Sequence, residues 1–270
     1  METFPLTRKM TKIVIAVLAN AGGVGKSTLA AHLAYELAKK KVATGIIDLD
    51  SNCSLDILTG LEPAEIENST IGLFRDDFTE WHLSVPPEWK VKNLMVCQSH
   101  LGMTDAEKTL AIKRRGQYIL QKRLKSYPMD KGVIILDCPA SLGIICENAI
   151  AAATHILIPI ELEVKSINGS VKLLEWIEVV RADLELEPEP QILGVVPSIY
   201  NAGKAQQRQY LEQLPDLFNP LGVKIFPAIR DSVEFANASG YGLPLHEYRP
   251  KHPATQDFKQ LTQEIIKLTK

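Results

Sequence analysis

The stretch from Ile15 to Thr28 constrains this chain more than any other, because an apolar strand runs directly into a glycine-rich turn that ends in Lys-Ser-Thr. Gly22, Gly23 and Gly25 let the backbone curl so that successive N–H groups point at phosphate oxygens, and a helix beginning near Lys26 adds the positive end of its dipole. Lys26 is placed to reach β- and γ-phosphates and Ser27 to ligate Mg²⁺. The general pattern has glycine six residues before the lysine. Here that position is Asn20, so the loop is a variant.

With 270 residues, 46% of them hydrophobic, the chain can bury the core of one large α/β domain. A net charge of −2 marks neither a nucleic-acid binder nor a membrane-surface protein, so any such contact must be a local patch. Cys53, Cys97, Cys138 and Cys146 contain no Cys-x-x-Cys pair and read as buried thiols of a reducing cytoplasm. The six histidines show no zinc-ligand spacing. The apolar run 149–160 is too short for a bilayer, and the N-terminus does not begin a signal peptide.

Along the chain, residues 1–11 read as a loose arm, with Met10 an alternative start, and 12–270 as one domain. Strands are expected at 12–18, 42–47, 93–97, 132–137, 155–160, 192–196 and 223–226. Helices are expected from Leu29 through Lys39, then at 104–124, 167–183, 206–217 and 255–268, with short helices and loops over 51–89. Lys39, Lys40 and Lys41 suit a helix C-terminus. The alternation describes an α/β fold: a doubly wound, mostly parallel sheet with helices on both faces. Such a sheet brings the glycine loop, Asp48, Asp50 and Asp137 to one carboxyl edge.

These residues resemble the ParA/MinD group of deviant Walker A ATPases, a P-loop NTPase fold. Asp137-Cys138-Pro139-Ala140-Ser141-Leu142-Gly143 is similar to that group's Asp-Cys-Pro-Pro-Ser-Leu-Gly segment, with Ala140 replacing a proline. Ile158-Pro159, Glu163, Gly169 and Gly194-Val195-Val196-Pro197 are similar to further landmarks. The resemblance implies ATP and Mg²⁺ as cofactors, with Gly22, Gly23, Val24, Gly25, Lys26, Ser27 and Thr28 around the phosphates. It implies that Ser27 and Asp137 hold Mg²⁺ with Asp48 beside them, and that Asp50 orients the attacking water. Pro197 and Arg230 are placed with the nucleotide-binding residues. Phosphoryl transfer then depends mainly on positioning and charge neutralisation, and is slow without partners.

The group's second, signature lysine, which crosses the dimer interface to the partner's nucleotide, is replaced here by Ala21. Three readings stay open: a weakened or absent dimer, an engineered residue, or a lysine supplied from elsewhere. Lys165 is the candidate replacement, since a positive charge at a helix start opposes the dipole unless something compensates it. A surface ion pair with Glu161 or Glu163, worth ~0.5 kcal/mol, is the plainer role. Loss of the loop lysine with a lysine later in the chain is similar to a subgroup that positions carboxysomes over the nucleoid. Asp50-Ser51-Asn52 departs from the Asp-Pro-Gln of plasmid partition proteins.

As implied by the resemblance, the expected partners are a second copy sandwiching ATP, non-specific DNA and a cargo-bound adaptor, in a cytoplasmic, nucleoid-associated protein. Residues 191–270 hold nine Lys and Arg against seven Asp and Glu, and Lys204, Arg208, Arg230, Arg249 and Lys251 are the candidate DNA-phosphate contacts. A MinD-like branch instead uses a C-terminal amphipathic helix on membranes. The stripe Phe258, Leu261, Ile265 and Leu268 is short and lacks dense basic flanks, which points to packing on the domain. Plasmid or chromosome partition and a metabolic ligase on the same fold are the remaining alternatives.

Overall fold

The computed structural model describes residues 12–270, so the expected N-terminal arm at 1–11 lies outside the described residues. Six parallel strands form one sheet in the order β3-β2-β4-β1-β5-β6: β1 (Lys12–Val17), β2 (Thr44–Asp48), β3 (Leu94–Cys97), β4 (Gly132–Asp137), β5 (His155–Glu161) and β6 (Gln191–Ser198). β1, β2 and β4 are apolar and almost wholly buried, as strands covered on both faces must be. β1 lies between β4 and β5, so the chain reverses its direction of progress across the sheet there. A crevice opens at the carboxyl ends of strands at such a point.

Helices α1 (Lys26–Lys39) and α2 (Ser54–Thr59) cover one face with α9 (Val233–Ser239) and α11 (Lys259–Leu268), around Leu33, Leu37, Ile46 and Ile135. The four-residue α10 (Leu245–Tyr248) lies against α9. The other face carries α3 (Ile71–Phe74), α4 (Met103–Ala111), α5 (Ile119–Arg123), α6 (Ile144–Ala152), α7 (Val164–Asp183) and α8 (Ala205–Phe218). Small residues at Ala30, Ala34 and Ala38 bring α1 close to the sheet, and all three are buried.

Three expectations need correction. The helix expected over 104–124 breaks after Ala111: Arg115 adopts a left-handed φ of 58°, a 3₁₀ turn spans Gly116–Tyr118, and α5 follows. The Asn148 side chain on α6 holds this break, donating to the Gly116 carbonyl (2.8 Å) and accepting from the Leu120 N–H (3.1 Å). A Cβ on Gly116 would stand 2.4 Å from the Leu110 carbonyl oxygen, so only glycine fits. The strand expected at 223–226 is a single bridge, Ile225 to Val195, that ends at Pro227. It is made possible by Gly194, where a Cβ would lie 2.4 Å from the Lys224 oxygen. The last helix starts at Lys259, because Pro253–Gln256 forms a 3₁₀ turn first.

Helices α6, α9 and α10 were not expected from the pattern. α6 is apolar on nearly every side because it is buried, which erases helical periodicity. Its counterpart at the C-terminus behaves differently. Phe258, Leu261 and Ile265 are buried, Leu268 packs beside them, and α11 lies on α1, so this stripe is part of the core.

Candidate functional site

The loop between β1 and α1 is open where a ligand would need it. Gly23 and Gly25 have φ of 82° and 81°, and a Cβ on Gly22, Gly23 or Gly25 would meet no atom within 4 Å. α1 begins at Lys26 with no side-chain cap and no acidic residue in its first turn, which leaves its N-terminal N–H groups unclaimed by side chains. Val24 is buried, and its carbonyl and that of Ile160 share the proton of Ser198 Oγ (2.8 and 3.1 Å), which ties the loop to β5 and β6. Lys26 is only 7% exposed and arches back to donate to the Ala21 carbonyl (3.2 Å). Among the described residues no carboxylate forms an ion pair with it.

Asp48 and Asp137 end adjacent strands in register. Both are completely buried. Asp48 Oδ1 accepts from the Asp50 N–H (3.0 Å), but Asp48 Oδ2 and both Asp137 oxygens have no hydrogen-bond partner among the described residues. Burial pushes the Asp137 carboxyl up to about 7, opposed by the Ser27 hydroxyl and the Lys26 ammonium. Burial, then the charge of Asp137, also raises Asp48. Native interiors rarely leave carboxylate oxygens in this condition. Hard oxygen donors from Asp137, Asp48 and Ser27 beside a buried lysine form a set suited to a small divalent cation on a phosphate.

Asp50 is half-exposed, and its Oδ1 accepts from the backbone and side-chain N–H of Asn52 (3.0 and 2.9 Å). Cys53, at φ 51°, turns the chain from this segment into α2. The other three cysteines are buried.

Beside the loop lies a cavity of about 350 Å³, with Thr28 and Leu29 at its floor and Leu58, Arg230, Phe235 and Phe258 among its walls. Arg230 lines this cavity, but its guanidinium forms a bidentate pair with Asp257 (2.8 and 2.7 Å), and its N–H donates to the same carboxylate (3.1 Å). It is therefore not a free DNA-phosphate contact. Pro197 is buried in β6 and does not line the cavity; its carbonyl accepts from the Ile229 N–H (2.8 Å) and so sets the Arg230 segment in place. Sequence reasoning missed Leu58, Phe235 and the inward role of Phe258, since isolated aromatics in weak patterns carry no local signal.

Lys165 is the second residue of α7, exposed, just past the carboxyl end of β5. The ion pairs weighed for it with Glu161 and Glu163 are not formed. Next to it in the chain, Ser166, Gly169 and Ser170 of α7 share a small gap with Asn20 and Ala21 of the loop, but Lys165 itself does not line that gap. The four other basic candidates do not form one patch. Lys204 and Arg208 begin α8 on one face of the sheet, whereas Arg249 and Lys251 flank the α10 region on the other, where Arg249 pairs with Glu234 (2.9 Å). Among the described residues no helix is long and apolar enough to cross a membrane.

A parallel sheet of this order with an open glycine loop at its switch point defines a P-loop NTPase domain. Residues 12–189 match the AAA domain family AAA_31, and the chain belongs to that family, within its ParA/MinD group. It is 25% identical to the chromosome partitioning protein ParA of Myxococcus xanthus, over 94% of this chain and 88% of the relative. It is also 25% identical to the sporulation initiation inhibitor protein Soj of Bacillus subtilis, over 93% of this chain and 97% of the relative. The fold superposes with TM-score 0.80 on the McdA(D38A)–ATP complex of Cyanothece, at 24% identity, covering 97% of this chain and 98% of that one.

Proposed function

We propose that this chain is an ATP-dependent, dimerising partition or positioning ATPase that uses Mg²⁺. The observation that carries the reading is the pair Asp48 and Asp137, buried with three unpartnered oxygens beside Lys26 and Ser27. In this reading Lys26 and the N–H groups of Gly22 to Thr28 hold the phosphates, and Ser27 and Asp137 hold Mg²⁺ with Asp48 beside them. Bound Mg²⁺ neutralises charge on the phosphate oxygens, which loosens the terminal phosphoryl group. Asp50 orients the attacking water.

Lys165, exposed and without an ion pair among the described residues, at the start of the helix whose Ser166 and Gly169 adjoin Ala21, supports the idea that it supplies the trans contact that Ala21 cannot make. This substitution pattern is what favours the carboxysome-positioning subgroup within the reading. Two copies joined through ATP would double a weak basic surface, so non-specific DNA is bound by the ATP dimer and released when a cargo adaptor stimulates hydrolysis. Lys204 and Arg208, which share one face and make no ion pair among the described residues, are its proposed phosphate contacts.

The test measures mass in solution and DNA binding, with and without Mg-ATP, for wild type and Lys165→Ala. ATP-dependent dimerisation lost in Lys165→Ala, together with DNA binding that falls steeply with salt, is expected. Equal dimerisation removes the role of Lys165. Absence of ATP turnover in the presence of Mg²⁺, DNA and lysate-derived adaptor removes the ATPase reading.

A further inference from the structure

His32 lies one turn after Thr28 on α1 and is 1% exposed. Its Nδ1 stands 2.8 Å from the Thr28 carbonyl, and the Leu245 N–H, the first of α10, points at its Nε2 at 3.0 Å. A carbonyl can only accept and an amide N–H can only donate, so the ring is the neutral Nδ1–H tautomer. Burial, with the charge of His246 adding to it, keeps the ring neutral by holding its pKa down to about 3. The same ring stacks on Phe258 (5.4 Å, 20°) and meets Phe235 edge-on (5.0 Å, 90°). Those two rings line the cavity beside the loop, and Thr28 is at its floor.

One side chain thus touches the floor, two rings of the wall, and the start of the helix behind that wall. We propose that His32 is a positioning residue that fixes the aromatic wall of the cavity at a set spacing from Thr28 and the phosphate loop, and so governs affinity for the nucleoside half of the ligand. The inference rests on the nucleotide reading above. It concerns how the wall is held, since His32 itself does not line the cavity. Two further contacts fasten α1 to α10 on the next turn: the Tyr35 hydroxyl donates to Glu247, and His246 Nε2–H faces Glu36 Oε1 at 3.3 Å. The seam therefore survives loss of His32, and the effect is confined to its end near the loop.

Inorganic tripolyphosphate can use the loop but has no base to place against the wall, which gives a control that a general loss of structure would not spare. Affinities of the full chain for Mg-ATP and Mg-tripolyphosphate are measured by calorimetry for wild type, His32→Ala, His32→Gln and His32→Asn. Removing His32 is expected to weaken ATP about 10-fold, the size of one or two lost buried hydrogen bonds, with tripolyphosphate changed less than about 2-fold. His32→Gln, whose amide oxygen can extend to the Leu245 N–H, recovers most of the ATP affinity. His32→Asn can donate to Thr28 but is too short for Leu245 and stays weak. Unchanged ATP affinity in His32→Ala, or equal losses for both ligands, overturns the proposal. If His32→Ala does not fold, equal ATP affinities of the Gln and Asn variants overturn it instead. A wild-type chain that binds neither ligand overturns the nucleotide reading and this inference with it.

Discussion

Two groups of polar side chains are buried in this molecule, and they are treated in opposite ways. Along the α1–α10 seam, His32, Tyr35, Glu36, His246 and Glu247 find one another or nearby backbone, and His246 Nδ1 is the one unpartnered atom among them. At the carboxyl edge of the sheet, Asp48 and Asp137 are buried more deeply than the half-buried Glu36 and Glu247 of the seam, yet three of their four oxygens have no hydrogen-bond partner among the described residues. A fold rarely leaves buried carboxylates unmatched without a reason outside the chain. The seam is complete as it stands and braces the fold. The carboxylate pair is complete only with something that brings positive charge.

The largest expected effect breaks or confirms that distinction directly. Asp137→Asn is expected to cut Mg-dependent ATP turnover by ~100-fold or more, as loss of a principal electrostatic group does. The same change should raise the stability of the protein without nucleotide by about 1–3 kcal/mol, because it removes a buried charge whose desolvation outweighs the help of the Ser27 hydroxyl and the Lys26 ammonium. Urea unfolding of both forms without nucleotide checks it. Lower stability in the variant would mean that the carboxylate is matched within the fold after all.

Next in size is the pH dependence, where the two regions pull in opposite directions. Between the ordinary aspartate value of 3.8 and about 7, folded Asp137 holds a proton that the unfolded chain has released, so its contribution falls as pH rises through that window. For His32 and His246 the ordinary value is 6.5 and the folded values are about 3 and about 4. Below 6.5 the unfolded chain takes up protons first, so stability falls as pH drops toward 4. In wild type the two trends partly cancel between pH 4 and 6.5. In Asp137→Asn the share of Asp137 is gone and Asp48, still raised by its burial, is left to oppose the histidines, so stability should fall more with acid than in wild type; a profile no steeper than that of wild type would deny Asp137 its share.

The smallest effect is expected within the seam. Glu36→Gln keeps an oxygen facing His246 Nε2–H, so stability should move by no more than about 1 kcal/mol. A stabilisation as large as that of Asp137→Asn would show that the seam also carries an unmet charge, and the two regions would cease to differ.

The chemistry of the carboxyl edge was legible because each part of it is local. Gly22 to Thr28, Asp48 and Asp137 follow apolar strands directly, and the strand pattern alone puts them on one edge. Arg230 read equally well as a phosphate contact for nucleotide or for DNA, and nothing near it in the chain marks its pairing with Asp257, 27 residues on. The basic residues of the C-terminal part looked like one group in a linear count and are divided by the sheet in space. His32 was one histidine among six, with nothing around it in the chain to mark its contact with Leu245, 213 residues away.

By itself, the amino-acid sequence determined the class of fold, the phosphate loop and the carboxylates at its mouth, since strand and helix periods and glycine conformations act over a few residues. The tertiary structure alone decided which of the buried polar groups are matched. Burial sets the energetic cost of an unpaired charge, and burial and pairing both depend on segments that meet only after the chain has crossed the sheet. That is why Asp137 and His32, equally hidden in the fold, stand for opposite things: one for a ligand the chain needs, the other for a contact it has already made.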